Sequence, residues 1–358
     1  MDRHELSQAV KAAAQNVGFD LAGIAPAVTP PGFPRLQQWL QAGFAGQMSY
    51  LPRREAAYQH PRHVSASVRS IVMLAVNYKT AEPPPVLAPN HGRVARYAWG
   101  SGDYHDLLRV KLNRLADQLH LLHPGCTTRG VVDTAPLLER DFARLAGLGW
   151  FGKNTMLIHK KMGSWLLLAG LLTDLDLEPD LAHETSHCGT CTRCLEVCPT
   201  DAFVEPYVLD ARKCISYLTI ELKESIPTTL REGVGDWLFG CDLCQAVCPW
   251  NRKSPVTEAL EFQPAPDLNP VNCLQILQMD RAAFESRFSK TPLERPDFDG
   301  LRRNAAIVLG NSGNQNALEV LEKVSLDLTA PTVREAALWA IDQLKHSAQI
   351  QANHSASD

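Results

Sequence analysis

Eight of the ten cysteines lie between Cys188 and Cys248, and only Cys126 and Cys273 fall outside that stretch. They form two runs. Cys188-Gly-Thr-Cys191-Thr-Arg-Cys194-Leu-Glu-Val-Cys198-Pro199 has the spacing C-x2-C-x2-C-x3-C-P. Cys241-Asp-Leu-Cys244-Gln-Ala-Val-Cys248-Pro249 is one cysteine shorter, and Cys214 lies between the two. The opening residues, MDRHELSQAV, are charged and amphipathic and lack the apolar core of a signal peptide, so a cytoplasmic chain is expected. Disulfides are rare in that compartment, and thiols gathered this densely point to metal.

The first run has the spacing of bacterial ferredoxins, in which the fourth cysteine ligates the second of two clusters. Crossed pairing then puts one cubane on Cys188, Cys191, Cys194 and Cys248, and the other on Cys198, Cys214, Cys241 and Cys244. Four thiolates for each of two [4Fe-4S] clusters use all eight residues. Structural zinc is the competing reading, but zinc normally takes C-x2-C pairs separated by a loop. Cys126 and Cys273 match neither run and are expected to be small buried residues. Two clusters relay single electrons, at potentials that reach about −400 mV. Such a relay needs an acceptor, which the residues ahead of Cys188 should supply.

At 358 residues, with 45% hydrophobic and 21% charged, the chain has the size and composition of roughly two or three folded domains. A formal charge of −4 excludes a uniformly basic nucleic-acid coat but leaves room for a local basic patch. The longest apolar stretch, Trp165 to Leu172, is far short of the ~20 residues that cross a bilayer.

Leu6, Val10, Ala14 and Val17 recur at helical spacing over 5–17, and residues 19–24 alternate like a strand. Residues 34–50 read as a helix ending near Gly46, 70–78 as a buried strand and the proline-rich 82–90 as a loop. Leu107, Leu108, Leu112, Leu115 and Leu119 make 103–122 a long amphipathic helix. Residues 128–132 read as a strand and 135–147 as a helix. Residues 156–159 and 164–172 suggest a hairpin around Met162-Gly163. Strands separated by helices argue for an α/β (α+β) domain over 1–177. A ferredoxin-type domain over 178–255 follows, then a helical domain over 256–346. There Arg303-Asn-Ala-Ala-Ile-Val-Leu-Gly310 matches Arg334-Glu-Ala-Ala-Leu-Trp-Ala-Ile341, which suggests HEAT-like hairpins; ordinary amphipathic helices are the alternative. The polar tail 347–358 is expected to be disordered.

No G-x-G-x-x-G follows a strand and no P-loop is present, since Gly149-Trp-Phe-Gly152-Lys153-Asn154 lacks its spacing. The segment 93–105, RVARYAWGSGDYH, could wrap a large planar ligand, or be a surface loop with a buried tyrosine. Asp103-x-His105 approaches the D-x-H-x-x-G motif that gives corrinoids an axial histidine, but Leu108 stands where the glycine belongs. Asp133 follows an apolar strand, a usual place for a catalytic carboxylate, where burial would raise its pKa and favour proton donation. The alternative is that Asp133-Thr-Ala-Pro136 caps the following helix.

Taken together, these segments resemble the epoxyqueuosine reductase family over nearly the whole chain. The resemblance is carried by Arg96-Tyr97-Ala98, Asp103-Tyr104-His105, Val132-Asp133-Thr134-Ala135-Pro136, Gly149 to Asn154, Cys214 to Glu221, both cysteine runs and the helical tail. It implies a cobalamin-dependent reductase related to reductive dehalogenases, with two [4Fe-4S] clusters and base-off cobalamin in the N-terminal domain. It implies Asp133 as proton donor, and places Arg96, Tyr97, Asp103, Tyr104, Asn154, Gly163 and Ser216 in cobalamin-contacting segments. The reaction so implied is deoxygenation of the substrate epoxide to an alkene, the last step of queuosine formation, with electrons from an external low-potential donor.

The implied substrate is a tRNA carrying epoxyqueuosine at the wobble position, and single-stranded loops are held by stacking and phosphate contacts. Lys153, Lys160, Lys161, Lys223, Arg252, Lys253, Arg302 and Arg303 are the candidate phosphate contacts. No dimer element stands out, so a monomer is expected. Three other readings compete: an iron–sulfur electron-transfer module, a corrinoid dehalogenase acting on a small molecule, and a tRNA-binding scaffold with structural clusters. The first predicts iron without corrinoid, the second has no need of the helical tail, and the third predicts no turnover.

Overall fold

The computed structural model describes all residues except 81, 83–87, 267 and 356–358, and for 350–355 only the backbone. The proline-rich loop expected at 82–90 falls largely outside this set. Ser70–Asn77, read as a buried strand, is buried along its whole length. It pairs on one side with Leu21–Pro26 and on the other with Leu166–Thr173, which in turn pairs with Thr128–Val131. Every pairing is antiparallel, so the α+β form of the expectation holds rather than a parallel α/β sheet.

Alternate side chains of a strand point to opposite faces, so both faces need cover. Val72 and Leu74 meet the helices Arg3–Asn16 and Tyr104–Leu122 through Val10, Ala14, Leu108, Leu112, Leu115 and Leu119. Ile71 and Met73 face the opposite way, onto Phe142 and Ala143 of the helix Glu139–Leu145. Each buried leucine stabilises by about 1.5–3 kcal/mol relative to exposure, which fixes the Tyr104–Leu122 helix and the residues at its start.

The hairpin expected around Met162-Gly163 is reduced to one isolated bridge, His159 with Gly163. Leu157–Ile158 pairs instead with Trp150–Phe151, because the apolar 166–173 run occupies the sheet interior between Ser70–Asn77 and Thr128–Val131.

A second sheet stitches the three expected regions together. His91–Val94 pairs in parallel with Trp237–Phe239 and antiparallel with Val271–Asn272. The largest apolar core runs accordingly from Val94 through Leu238 to Leu344, across the boundary expected at 255. The matching segments 303–310 and 334–341 lie in the helices Asp297–Asn311 and Pro331–Ser355, with Leu318–Ser325 between them. Gly310 lies against Trp339 and Ala340, where even a Cβ would come within 3.0 Å of either. The last helix runs to Ser355, so 347–355 are helical rather than a disordered tail, and 356–358 lie outside the described residues. Among the described residues no helix is long and apolar enough to cross a membrane.

Candidate active site and metal centre

The cysteine runs are threaded through short helices whose N-termini face sulfur. Cys214 precedes Ile215–Ile220 and receives the N–H groups of Ser216 and Tyr217. Cys248 precedes Pro249–Asn251 and receives those of Trp250 and Asn251. Ala202 donates its N–H to Cys198 Sγ at 3.4 Å. Such bonds stabilise thiolates and tune cluster potentials.

All ten cysteines are unbridged, and Cys126 and Cys273 are buried. Mutual proximity sorts the other eight thiols. The Cys194 thiol is pushed up to about 11, first by burial, then by Cys248 and Cys188 and less by Cys191. Burial raises Cys244, and Cys214 adds to it, with Cys194 and Cys198 beyond. Cys241 faces Cys244 and Cys214. These neighbour sets coincide with crossed pairing, and Cys194 beside Cys244 links them. Among the described residues no three His, Cys, Asp or Glu side chains gather closely enough to hold a single metal ion.

Asp133 sits just beyond the strand Thr128–Val131 at φ 47°, in the left-handed region that few residues other than glycine adopt. It does not cap a helix. The helix expected from 135 starts only at Glu139, whose Oε1 accepts the Asp133 N–H at 2.7 Å. Three donors converge on Asp133 Oδ2: His105 Nε2 at 3.3 Å, Tyr104 Oη at 3.3 Å and Arg295 Nη1 at 3.4 Å. Oδ1 has no hydrogen-bond partner among the described residues, and the side chain is 47% exposed. One carboxylate oxygen is anchored and the other is left unbonded.

Burial alone would raise the Asp133 pKa, as the sequence suggested. The bonds from His105 and the Arg295 guanidinium outweigh it and hold the group at about 2. The corresponding charge appears on the partners. Desolvation opposes protonation of His105, but Asp103 and Asp133 push its pKa up to about 9. Glu139 is pushed up to about 8 by burial and by the Asp133 carboxylate. Adjacent carboxyls with pKa values driven apart are an acid–base pattern. Arg295 also pairs with Glu221 at 3.3 Å, and burial raises the hydroxyls of Tyr50 and Tyr58, which face Asp133.

Tyr97 packs edge-on against Tyr104 at 5.7 Å and lies 6.0 Å from Phe239. Its hydroxyl faces Arg295, Asp133, Asp242 and Glu221, and Asp242 lies between Cys241 and Cys244. Tyr97 therefore spans from Asp133 to the second thiol set. Both ring nitrogens of His105 are engaged, by Asp103 and Asp133, so a corrinoid held beside Tyr97 would take no ligand from that ring. Tyr104 and Ser216, both partly exposed, border the same region.

The other expected cofactor contacts are held within the protein. Arg96 is buried between the Trp99 and Trp165 rings, donates to Thr80 O, and its N–H binds Asp242 Oδ2. Asp103 caps the Tyr104–Leu122 helix and binds His105. Asn154 is buried with its amide on Cys244 O and Met156 N, and Gly163 lies against Asn251 and Ser254. Buried in this way, neither Asn154 nor Gly163 presents a surface to a ligand.

The expected phosphate contacts divide similarly. Arg303 is 1% exposed and donates to the carbonyls of Leu218, Leu222 and Glu224. Arg302 is 9% exposed and lies over Phe298. Arg303 thus joins the helical tail to the cluster region, while Arg302 pairs with Asp299 and Asp327 inside the tail; both are buried away from solvent phosphates. Lys153 is drawn inward onto Gly189 O and Cys191 O, where it fixes the first cluster loop. Lys160, Lys161, Arg252 and Lys253 are exposed on two turns that pack together through Ser164 N and Asn251 Oδ1. Lys223 is exposed and bonds Arg295 O.

A family model described as "Epoxyqueuosine reductase QueG, DUF1730" matches residues 59–134, and "4Fe-4S double cluster binding domain" matches 187–251. Epoxyqueuosine reductase of Pseudomonas aeruginosa is 38% identical over 345 residues, covering 95% of both chains. That of Gloeobacter violaceus is 42% identical, covering 86% of this chain and 97% of its own. The chain belongs to the epoxyqueuosine reductase family. An epoxyqueuosine reductase crystallised with an epoxyqueuosine-modified tRNA-Tyr stem loop superposes with a TM-score of 0.88 at 31% identity, over 95% of this chain and 90% of that one. The Bacillus subtilis epoxyqueuosine reductase, in a form with its catalytic aspartate loop swung out of the active site, gives 0.87 at 30% over the same shares.

Sequence reasoning missed Arg295, Glu139 and Glu221, and weighed His105 only as a cobalt ligand. The signal for His105 was available: Asp103-Tyr104-His105 at a helix start places the ring within reach of its own cap residue. For Arg295, 162 positions from Asp133, no local signal exists.

Proposed function

We propose that this protein reduces the epoxide of epoxyqueuosine, at the wobble position of a tRNA anticodon loop, to the alkene of queuosine. Membership of the epoxyqueuosine reductases over 95% of the chain carries this reading, and the anchored, half-exposed Asp133 carboxylate is the group that would meet the reacting oxygen. The balanced reaction is epoxide plus two electrons and two protons to alkene plus water.

The eight cysteines would hold two [4Fe-4S] clusters in the crossed arrangement. Base-off cobalamin would lie against Tyr97, Tyr104 and Ser216. When bound, these groups supply reducing equivalents one electron at a time from an external low-potential donor. The chain's own residues do the rest. Asp133, ionised in the free protein, would have to take up a proton before the reaction; Oδ1, the oxygen left unbonded, would then meet the substrate oxygen and donate to it as charge develops there, the role of a general acid. Tyr104, His105 and Arg295 hold Oδ2, which fixes the carboxyl plane. Tyr50 and Tyr104, both partly exposed beside it, would offer aromatic surface, and single-stranded bases are commonly recognised by stacking on aromatic side chains.

The four exposed cations at 160, 161, 252 and 253, with Lys223, are the proposed phosphate contacts, and the protein is proposed to act as a cytoplasmic monomer. The regions 1–177, 178–255 and 256–346 are proposed as the cobalamin, cluster and HEAT-like units. Anaerobic incubation of the reconstituted protein with a reductant and an epoxyqueuosine stem loop tests the reading: the nucleoside digest should contain queuosine. Unchanged epoxyqueuosine from protein carrying about eight irons, the count for two cubanes, would move the weight to an electron-transfer module.

A further inference from the structure

Asp133 carries its carboxyl on a backbone that has to be held in place. Its φ of 47° lies in the left-handed region, where an L-residue stays only when its surroundings fix it. φ is the rotation about the N–Cα bond, so setting it takes a constraint on each side of that bond. On the side-chain side are the three donors at Oδ2, from His105, Tyr104 and Arg295. They orient the carboxyl but leave the preceding peptide plane free. On the other side, among the described residues, the Asp133 N–H has one hydrogen-bond acceptor, Glu139 Oε1 at 2.7 Å.

Glu139 is itself well anchored. It is the first residue of the helix Glu139–Leu145, whose Phe142 and Ala143 are fully buried with Ile71 and Met73 of the sheet. Arg140, next in the chain, donates to Thr155 O at 2.5 Å. Burial and the Asp133 carboxylate push the Glu139 pKa up to about 8, but a carboxyl protonated on its other oxygen still accepts at Oε1. Arg54 also reaches this turn. It donates to Thr134 O at 2.9 Å from an exposed position, one residue beyond the bond that sets φ, and so does not replace Glu139.

We propose that Glu139 is a positioning residue for the reduction: by accepting the Asp133 N–H it holds the left-handed turn that aims the Asp133 carboxyl at the substrate. This rests on Asp133 being the proton donor. Without the acceptor the 132–133 peptide plane turns, φ relaxes to negative values, and the carboxyl leaves the place where the substrate oxygen arrives. Glu139 touches neither substrate nor cofactor and transfers no proton. An amide oxygen at the same point holds the turn equally well.

The test compares Glu139→Ala, Glu139→Gln and Asp133→Asn, each loaded with clusters and corrinoid and matched in iron content to the wild type. Glu139→Ala should lose roughly 10²-fold in kcat, the cost of about 1 Å of misplacement, with little change in KM for the stem loop. Glu139→Gln keeps the acceptor and lacks the acidic proton, and should turn over at close to the wild-type rate. Hydrogen exchange of the Asp133 amide gives a readout apart from turnover. It should speed up about 3–10-fold in Glu139→Ala, the factor for one lost hydrogen bond, and keep wild-type protection in Glu139→Gln. A wild-type kcat in Glu139→Ala overturns the positioning role. So does a Glu139→Gln as slow as Glu139→Ala, since the carboxyl proton and not the bond then matters; that outcome decides even where Glu139→Ala loads poorly. An inactive Asp133→Asn beside either result leaves the donor reading standing, whereas wild-type turnover by Asp133→Asn overturns the donor reading itself.

Discussion

Arg303 decides between two accounts of the helical tail. As a surface cation it would grip tRNA; as the structure has it, the guanidinium is a buried staple. Replacing it with methionine keeps the aliphatic volume and removes five contacts. Nη1 donates to Leu222 O at 2.8 Å and Glu224 O at 2.5 Å, and Nη2 donates to Leu218 O at 2.8 Å. Nε and Nη2 both reach Asn304 Oδ1. Asn304 in turn binds Thr219 O and Leu238 O, so the pair holds the Asp297–Asn311 helix to the segment after Cys214. Each buried carbonyl left without a donor costs about 1–3 kcal/mol, and three are left. Relief from burying the guanidinium offsets part, which leaves a loss of about 3–5 kcal/mol, the scale for breaking a buried charged network. At about 2–4 °C per kcal/mol for domains of 150–250 residues, the apparent Tm should fall by roughly 6–20 °C in an anaerobic calorimetric scan of the holoprotein. An unchanged Tm together with weakened stem-loop binding would refute the staple and restore the phosphate contact.

Further outcomes follow from the same geometry. Reversing Lys160, Lys161, Arg252 and Lys253 to glutamate should weaken stem-loop binding and flatten its salt dependence by up to about 0.7–0.9 log units per lost phosphate contact, measured by filter-binding titration, while iron content holds. Cys244→Ser should lower iron by roughly half, the loss of one cubane of two, measured by colorimetric iron assay. The Asp133 turn should be held most firmly at mildly acidic pH. Protonated His105 stabilises fully below its ordinary 6.5 and loses the effect as pH rises to about 9; ionised Asp133 stabilises fully above 3.8 and loses the effect as pH falls to about 2. Hydrogen exchange of amides 132–138 should therefore show greatest protection, after correction for intrinsic rates, between pH 3.8 and 6.5.

The parts of this molecule that were legible in sequence are those set by local rules. The cysteine spacing encodes short helices whose N-termini meet sulfur. The 70–77 strand and the 104–122 helix followed from apolar content and period alone. Asp133 was marked by its place at a strand end, yet its φ of 47° has no sequence signature, and so the helix was expected to begin four residues early. Its charge state was misjudged because it depends first on the His105 ring and then on Arg295, from the far end of the chain, which was missed. Arg302 and Arg303 failed oppositely, since adjacent arginines normally mark solvent; here carbonyls after Cys214 draw Arg303 inside, and Asp299, Asp327 and the Phe298 ring hold Arg302 within the tail.

The central claim is tested most directly by single-turnover reduction of an epoxyqueuosine stem loop by Asp133→Asn, with iron and corrinoid content matched to the wild type. The account predicts that wild-type protein forms queuosine and that the variant is slower by about 10²–10⁴-fold, the range for a lost general acid. Queuosine formed by the variant at the wild-type rate would contradict it.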